Sequence, residues 1–323
     1  MGDHVLLAYT FANGKAEQLN GNAIANQIKS TEHLSWVHMD ANHPETKSWL
    51  EKEAEYLDPF IIEALLADET RPRMTQIDKG VLLILRGVNL NKDANPEDMV
   101  SIRLWIDEYR IISVRQRRLK AISDIDEKIK AGKIPENAGH FICMLTSRLF
   151  ERMEPVLSEL DELTDDVEEQ VLEDVDSSLR KSIINVRKQA IIYRRYMAPQ
   201  KDAIGQLRMS DIEWLQDTHR RQLQESHNHV TRYVEDLDAI RERAQIVKDE
   251  LANILSDRLN KNMYVLSVIA AIFLPLGFLT GLLGINVGGI PGTESDSAFW
   301  LFSGILVAIV AVQVFIFKKL KWF

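Results

Sequence analysis

The sequence predicts an α+β membrane protein in which a mixed α/β domain comes first, a helical hairpin and a long stalk helix follow, and two transmembrane helices come last. Strand-like and helical runs alternate in residues 1–140, which is typical of a mixed α/β domain. Residues 141–262 contain a single glycine, Gly205, and predict mostly helix. Residues 263–323 hold two long apolar segments. We therefore expect three parts with these boundaries.

Residues 1–140 contain five strand-like runs. Helical stretches are expected between them at residues 44–55 and 59–68. The last two strand-like runs flank Asp107-Glu108-Tyr109, a connection short enough to predict a hairpin. The five runs are residues 5–11, 34–39, 80–86, 99–106 and 110–114.

The first half of the helical part changes from acidic to basic along the chain. Residues 151–176 are dense in Asp and Glu with apolar residues at helical spacing, which predicts an amphipathic helix with an acidic solvent face. Residues 180–201 are rich in Lys and Arg. An acidic helix followed by a basic one favours an antiparallel hairpin. We interpret its charges as weak surface ion pairs rather than as a dedicated metal site.

A third helix is predicted to begin after residue 211, around residues 214–217. Neither Gly nor Pro follows until Pro275, which lies inside the first apolar segment. At ~1.5 Å per residue, a helix from residue 215 to 283 extends ~100 Å. Such a helix would join the soluble part to the membrane rigidly and could transmit events between them.

The apolar segments, residues 263–283 and 298–317, predict transmembrane helices. They have 21 and 20 residues, enough to cross a hydrocarbon core of ~30 Å. Basic residues flank the pair and are absent between the segments. The positive-inside rule therefore places both termini and the first two parts in the cytoplasm and the link 284–297 outside. A buried hairpin of a soluble protein is the alternative, and charges at the segment ends with none inside disfavour it. The flanking residues are Arg258, Lys261, Lys318, Lys319 and Lys321.

Charge and cysteine content exclude several classes of protein. The net charge is −9, and the first 260 residues alone carry −11. This acidity argues against a nucleic-acid partner bound through phosphate contacts. A single cysteine, Cys143, excludes an internal disulfide and a Cys-based zinc cluster, and it favours a reducing compartment. Residues 1–30 show no secretory signal.

Small and mildly polar residues of the first apolar segment recur every three or four positions and so share one helix face. Such a face can be a packing seam between helices or a pore wall, and periodicity alone favours the seam. Two helices enclose nothing, so a pore would need several copies around an axis. Because neither segment contains a charged residue, a pore would pass ions with much of their hydration shell. The face comprises Asn260, Met263, Ser267, Ala270, Leu274, Gly277 and Gly281.

The sequence has no catalytic or nucleotide-binding motif: GxxxxGK[ST], GxSxG, HExxH and paired CxxC are all absent. We therefore expect neither an enzyme nor ATP-driven transport, and no cofactor. The candidate metal ligands are His219, His227 and His229, with Glu225 nearby. His227 and His229 point to different helix faces, which favours solvated histidines over a zinc site. A second set that could face cations comprises His33, His38 and His43.

The link between the apolar segments carries two carboxylates, Glu294 and Asp296. In an oligomer they would form a ring around a pore entrance and raise the local cation concentration. The alternative is that they only keep a short exposed loop soluble.

The tripeptide Gly284-Ile285-Asn286 directly follows the first apolar segment. At this position it resembles the CorA metal-ion transporter superfamily, whose hallmark there is Gly-Met-Asn. Isoleucine in the middle is typical of the ZntB branch of zinc transporters. Three further stretches resemble that branch, and the resemblance covers essentially the whole chain. They are residues 70–73 (TRPR), 194–200 (RRYMAPQ) and 286–292 (NVGGIPG).

The resemblance implies a homopentameric funnel in a lipid bilayer, with the first segment of each chain lining the pore. Asn286 would form a ring at the external mouth and contact the hydrated cation. The implied pore positions include Leu266, whereas the periodic face includes Ser267, and the sequence leaves this choice open. The implied set is Asn260, Met263, Leu266, Ala270, Leu274, Gly277 and Gly281.

The expected function is transport of divalent metal cations, with zinc uptake across the bacterial inner membrane as the leading interpretation. The zinc branch implies coupling to the proton gradient, yet no carboxylate or histidine lies inside either segment, and Asp257, the histidines and Glu294 are the nearest candidates. A magnesium, cobalt or nickel channel of the same fold is one alternative. Another is a membrane-tethered sensor or scaffold whose first segment packs without forming a pore.

Overall fold

The computed structural model describes residues 4–173, 177–284, 290, 292 and 295–319. The chain divides into two compact units, Met1–Asp249 and Glu250–Phe323. The three-part division at residues 140 and 262 stays a prediction.

A seven-stranded mixed sheet forms the centre of the first unit. Its strands are β1 (Val5–Ala12), β2 (Lys15–Gln18), β3 (Leu34–Asp40), β4 (Arg73–Ile77), β5 (Gly80–Gly87), β6 (Val100–Ile106) and β7 (Arg110–Arg115). Their spatial order is β2-β1-β3-β7-β6-β5-β4. The β3–β7 pair is parallel, and the other five neighbouring pairs are antiparallel.

Helices cover both faces of this sheet because its strands are apolar on both sides. One core joins α1 (Asn22–Lys29), α2 (Pro44–Glu53) and α3 (Pro59–Leu66) to sheet residues such as Leu82. The other joins α4 (Lys120–Lys130) and α5 (Ala138–Glu173), together with the helices that follow, to residues such as Leu83. Leu82 and Leu83 point to opposite faces because strand side chains alternate.

The predicted strands and helices of this region are confirmed, with ends that differ by at most two residues. The predicted hairpin at residue 107 is confirmed as well. The Asp107 carboxylate accepts hydrogen bonds from the backbone N–H groups of Tyr109 at 3.0 Å and Arg110 at 2.9 Å, which closes the turn. Strands β2 and β4 were not predicted, because both are short edge strands, exposed or half-buried, without an apolar run.

Three long helices complete the first unit: α5, α6 (Ser177–Met209) and the first part of α7 (Asp217–Gly284). Arg220 donates to the Arg208 carbonyl and Arg194 to Asp238, so α6 and α7 run antiparallel. Contacts from α5 to α7 advance in the same direction along both helices, from Cys143 with the His219 carbonyl to Glu168 with Arg243. Helices α5 and α6 are therefore antiparallel, as predicted.

The acidic face of α5 is bound by α7. The Arg243 guanidinium donates to Asp161 at 3.0 Å, to Asp165, and to both carboxylate oxygens of Glu168 at 2.9 and 2.7 Å. These hydrogen bonds raise the pKa of Arg243. One arginine joins three carboxylates because the parallel register of α5 and α7 brings them to one point. The predicted surface ion pairs between α5 and α6 are a separate matter and stay a prediction.

The third helix begins at Asp217, inside the predicted interval. Helix α7 continues for 68 residues, through Pro275, to Gly284, and α8 (Ala298–Lys319) follows. At ~1.5 Å per residue α7 is ~100 Å long. Both predicted transmembrane segments lie within these two helices, so the structure has the soluble α/β region, the long helix and the two candidate spans that were predicted.

Candidate functional site

The C-terminal unit leaves most of its apolar side chains exposed. Leu266 is 67% exposed and Leu274 73%, and among the described side chains of residues 255–284 only Val268 is buried. Both helices are long and apolar enough to cross a membrane. Apolar surface gains about 25 cal/mol per Å² on leaving water, so a hydrocarbon core is the suitable solvent for them. The alternative of a buried soluble hairpin is disfavoured because these helices are exposed.

One face of α7 meets α8. Gln313 Nε2 of α8 donates a hydrogen bond to the Ala271 carbonyl at 3.2 Å. The other amide atom, Gln313 Oε1, is buried without a hydrogen-bond partner among the described residues. No sequence pattern marked Gln313, because a single polar residue in an apolar helix has no period. The less exposed α7 side chains share this face: Val268, Ala271, Ile272, Leu276 and Leu279.

The predicted pore residues lie on the opposite face of α7. At about 100° per residue, their mean direction differs by about 160° from that of the α8-facing side chains. All of them are exposed, and so are both Leu266 and Ser267, so the choice between those two stays open. This face is exposed in the single chain. It comprises Asn260, Met263, Leu266, Ala270, Leu274, Gly277 and Gly281.

The hydroxyl groups of the segment are bonded within α7. Ser267 donates to the Met263 carbonyl at 2.8 Å, and Thr280 Oγ1 lies 2.9 Å from the Leu276 carbonyl and 3.2 Å from that of Gly277. Each hydroxyl oxygen keeps a lone pair for a water molecule or a hydrated cation. Ser267 lies beside the predicted pore face and can contact water around an ion, and residues 263–283 carry no charge with which to replace that water.

The structure describes only part of the tripeptide Gly284-Ile285-Asn286 and of the link 284–297. Gly284 is the last residue of α7, whereas Ile285, Asn286 and Glu294 lie outside the described residues. Asp296 is exposed in the turn that precedes α8. A carboxylate there is favoured by the positive end of the α8 dipole, which is a local structural role for Asp296. Its predicted role in attracting cations stays a prediction.

The three candidate histidines of α7 occupy different environments. His219 is buried and its Nδ1 accepts the Gln216 N–H at 3.2 Å, and burial lowers its pKa. His227 packs against Gly205, and burial lowers its pKa too. His229 lines a groove of about 390 Å³ with Glu225, and the remaining titratable lining residues include His140, Glu151 and Glu154. The assignment of these histidines as metal ligands stays a prediction.

His38 is also a buried structural residue. Its Nδ1 lies 2.8 Å from Ser113 Oγ, and burial lowers its pKa to about 3. It is therefore neutral at physiological pH, and the ring is enclosed between the sheet and its helices.

In the described part of the chain, one group of three metal-ligand side chains has its ligand atoms within 4.8 Å of one another: His4, His43 and Glu45. His43 is the N-cap of α2, and its Nδ1 accepts the Glu45 N–H at 3.3 Å. The Glu45 carboxylate lies 3.3 Å from His4 Nδ1 without hydrogen-bond geometry. The positive end of the α2 dipole disfavours a cation here. We therefore interpret the three side chains as contacts that stabilise the start of α2.

Comparison with known proteins supports a transporter. The sequence model of the family described as CorA-like Mg²⁺ transporter protein matches residues 31–319. The divalent cation transporter CmaX of Pseudomonas aeruginosa is 36% identical over 99% of this chain and 98% of its own. The zinc transport protein ZntB of Yersinia enterocolitica is 33% identical over 91% of this chain and 90% of its own.

Solved structures share the fold. The full-length CmaX structure has a TM-score of 0.85 at 36% identity and covers 99% of this chain and 98% of its own. The ZntB cytoplasmic domain of Vibrio parahaemolyticus has a TM-score of 0.70 at 27% identity, over 80% of this chain and 100% of its own. The CorA magnesium transporter of Methanocaldococcus jannaschii, with a TM-score of 0.82 at 17% identity over 98% of this chain and 99% of its own, shows the fold alone. The resemblance inferred from the tripeptide is confirmed, and the chain belongs to the CorA-like family of metal-ion transporters.

Proposed function

We propose that this divalent-cation transporter takes up zinc across the bacterial inner membrane as a homopentamer. The exposed, uncharged face of α7, opposite the α8 contact, is the observation that carries the proposal. Five such faces around an axis would form a pore wall for a hydrated cation. Both termini would be cytoplasmic, and Glu294 and Asp296 would lie outside and attract cations to the entrance.

Zinc is favoured over magnesium by the relatives named ZntB and by isoleucine in the tripeptide. A magnesium, cobalt or nickel channel is the second candidate, and the family description as Mg²⁺ transporters supports it. Residues 263–283 of α7 carry no charge, and ligands of this kind discriminate weakly among hydrated divalent cations. Ion selectivity therefore has to be measured directly.

The test is flux into liposomes that contain the full-length protein and an ion-sensitive dye. Zinc, magnesium, nickel and cobalt are compared, with and without a pH gradient. We expect zinc flux to exceed magnesium flux and to rise when the side from which zinc enters is acidic. Magnesium flux without zinc flux would contradict the zinc assignment, and zinc flux that is independent of the gradient would contradict proton coupling.

Variants separate a pore from a packing seam. We expect Asn286→Ala to lower zinc flux about tenfold, because the amide is proposed to hold the water shell of the ion at the mouth. Asn260→Ala, on the predicted pore face, should lower flux by less, since it contacts the ion at the other end of the segment. Asn262→Ala is the matched control, because two positions along α7 turn the side chain by about 200°. Unchanged flux in Asn286→Ala would favour a sensor or scaffold.

A further inference from the structure

The first unit contains a cavity of about 600 Å³ that is lined largely by charged and polar groups. Four arginines line it, against two carboxylates from Asp68 and Glu69. The arginines come from four places in the chain: the segment before β4, the end of β5, the segment after β7, and α6. They are Arg71, Arg86, Arg117 and Arg195. A net positive cavity is unusual in a chain whose net charge is −9.

Two stretches that resemble the ZntB branch meet at this cavity. From residues 70–73, the Thr70 carbonyl accepts hydrogen bonds from Arg86 Nε at 3.2 Å and Nη2 at 2.7 Å. From residues 194–200, Gln200 Oε1 accepts the Arg86 N–H at 2.6 Å, and the Tyr196 ring lies 4.2 Å from the Arg86 guanidinium. Arg86 thus holds together two motifs that are more than 100 residues apart.

Among the described residues, the positive charge of the cavity is only partly offset by the two carboxylates of its lining, Asp68 and Glu69. In the described ranges, none of the four guanidinium groups has a carboxylate within ion-pair distance, and the Asp68 carboxylate accepts a hydrogen bond from Gln116 at 3.3 Å. Arg86 uses its donors on neutral carbonyls, including that of Met99 at 2.7 Å. Burial and the neighbouring charges of Arg117 and Arg195 lower the pKa of Arg86. Like charges gathered in a partly buried cavity repel one another and destabilise the empty site. A bound anion would reduce this repulsion.

Buried donors beside the arginines also lack partners. Thr70 lines the cavity and is 9% exposed, and its Oγ1 is buried without a hydrogen-bond partner among the described residues. Arg103, which does not line the cavity, is fully buried, and its Nε and Nη1 lack partners within the same set. Buried donors are almost always bonded in native proteins, either to the protein or to ordered water, so the Thr70 hydroxyl, which lines the cavity, can donate to a ligand or to a water molecule there.

We propose that this cavity binds the phosphate or diphosphate group of a small anion. Guanidinium groups bind phosphate oxygens in a bidentate manner, and a threonine hydroxyl adds a further donor. The volume suits a small ligand. The lining offers little for a nucleotide base, because its aromatic ring, Tyr196, is already covered by Arg86. This inference does not depend on which cation is transported.

The test measures thermal unfolding of the full-length protein in detergent, with EDTA present and ionic strength held constant with potassium chloride. The probes are phosphate, pyrophosphate and ATP. We expect pyrophosphate to raise Tm most and chloride to have no effect. ATP should act no better than pyrophosphate if the phosphates alone are bound, whereas a larger shift with ATP would identify a nucleotide as the source of the phosphate group.

Arg71→Gln/Arg117→Gln is the diagnostic variant, because both side chains are exposed and neither supports the backbone as Arg86 does. We expect it to weaken pyrophosphate binding at least about tenfold in calorimetry, because hydrogen bonds to charged groups contribute more than those between neutral groups. Arg117→Lys keeps the positive charge but loses the two-pronged guanidinium, so its affinity for pyrophosphate should lie between those of the wild type and the double variant. Arg118→Gln is the matched control, because Arg118 is adjacent, exposed and outside the lining.

Three outcomes would overturn the proposal: chloride stabilises as well as pyrophosphate, Arg118→Gln weakens binding equally, or pyrophosphate fails to bind the wild type. A change in particle size of the double variant on size-exclusion chromatography would also count against it, because the arginines would then contact a second copy. If the double variant unfolds, Arg117→Gln alone replaces it in the same assay.

Discussion

Most of the described leucine side chains are buried in the first unit and exposed in the second. Leu82 and Leu83 of β5 are completely buried, whereas Leu266 and Leu274 of α7 are mostly exposed. In the first unit the sheet and its helices bury apolar side chains within one chain. In the second unit the apolar side chains of a two-helix unit have few neighbours within the chain. The first unit buries its apolar side chains within its own chain, whereas the second leaves them exposed, as suits a lipid bilayer.

The strongest test of this contrast truncates one leucine in each unit. Leu83→Ala removes a fully buried side chain and should lower the free energy of unfolding by about 3 kcal/mol. Leu274→Ala removes an exposed one and should have much less effect on the same transition. Denaturant unfolding of the detergent-solubilised protein, followed by tryptophan fluorescence, measures both. Equal losses would show that the exposed face of α7 is packed in the assembly as tightly as the sheet.

The second test uses pH and acts on the first unit. Burial, and then the charge of Arg115, lowers the pKa of His38 to about 3 in the folded state, against ~6.5 when unfolded. The unfolded chain therefore binds a proton that the folded chain does not. Stability is unaffected above pH ~6.5 and falls as pH decreases below it, by about 2 kcal/mol at pH 5 from this group.

We expect His38→Gln to reduce the stability difference measured between pH 7.5 and pH 5 by about that amount. His33→Gln, an exposed neighbour, is the control and should leave the difference unchanged. The same difference in His38→Gln as in the wild type would show that other groups cause the acid sensitivity.

The third test concerns the helices of the first unit. Arg243→Gln removes the guanidinium that joins Asp161, Asp165 and Glu168, and leaves three carboxylates close together. Because these groups are partly exposed, we expect a loss of about 1 kcal/mol, reduced further at high salt. Arg241→Gln, whose pair with Asp238 is an ordinary surface contact at 3.3 Å, should cost less. Unfolding midpoints at low and high salt compare them.

The smallest effect is expected in the second unit. Gln313→Leu removes the hydrogen bond to the Ala271 carbonyl and also an unpaired buried oxygen. Hydrogen bonds between membrane helices contribute about 0.6 kcal/mol on average, so we expect little change in Tm. Val312→Leu serves as a size control on the same helix. A drop in Tm comparable to that of Leu83→Ala would mean that the two-helix contact is a principal source of stability.

Sequence patterns predicted the elements whose stability is local. The start of α7 near residue 217 and the turn at Asp107 follow from helix-compatible composition and a short polar connection. The exposed face of α7 follows from periodicity, although a period of 3.6 cannot choose between Leu266 and Ser267, which are neighbours on the helix. The sequences of edge strands β2 and β4 give no such signal, because most of their stabilisation comes from pairing with neighbouring strands of the sheet.

Contacts set by tertiary register could not be predicted. Arg243 meets Asp161 and Glu168 only because α5 and α7 run in parallel at a particular offset. The arginine cavity draws Arg71 and Arg195 from distant positions, and no spacing rule relates them. Gln313 of α8 faces α7 rather than lipid for the same reason, because its direction depends on how the two helices pack.

Helix α7 also decides how the protein can be cut. The boundary between the units, after Asp249, falls inside this helix rather than in a loop. Proteases require an extended substrate strand, so cleavage at that boundary would first have to unwind several turns of helix. A soluble fragment that ends there would have a frayed helix end at its C-terminus. Separating the two units by truncation would therefore create a helix end that the intact chain does not have.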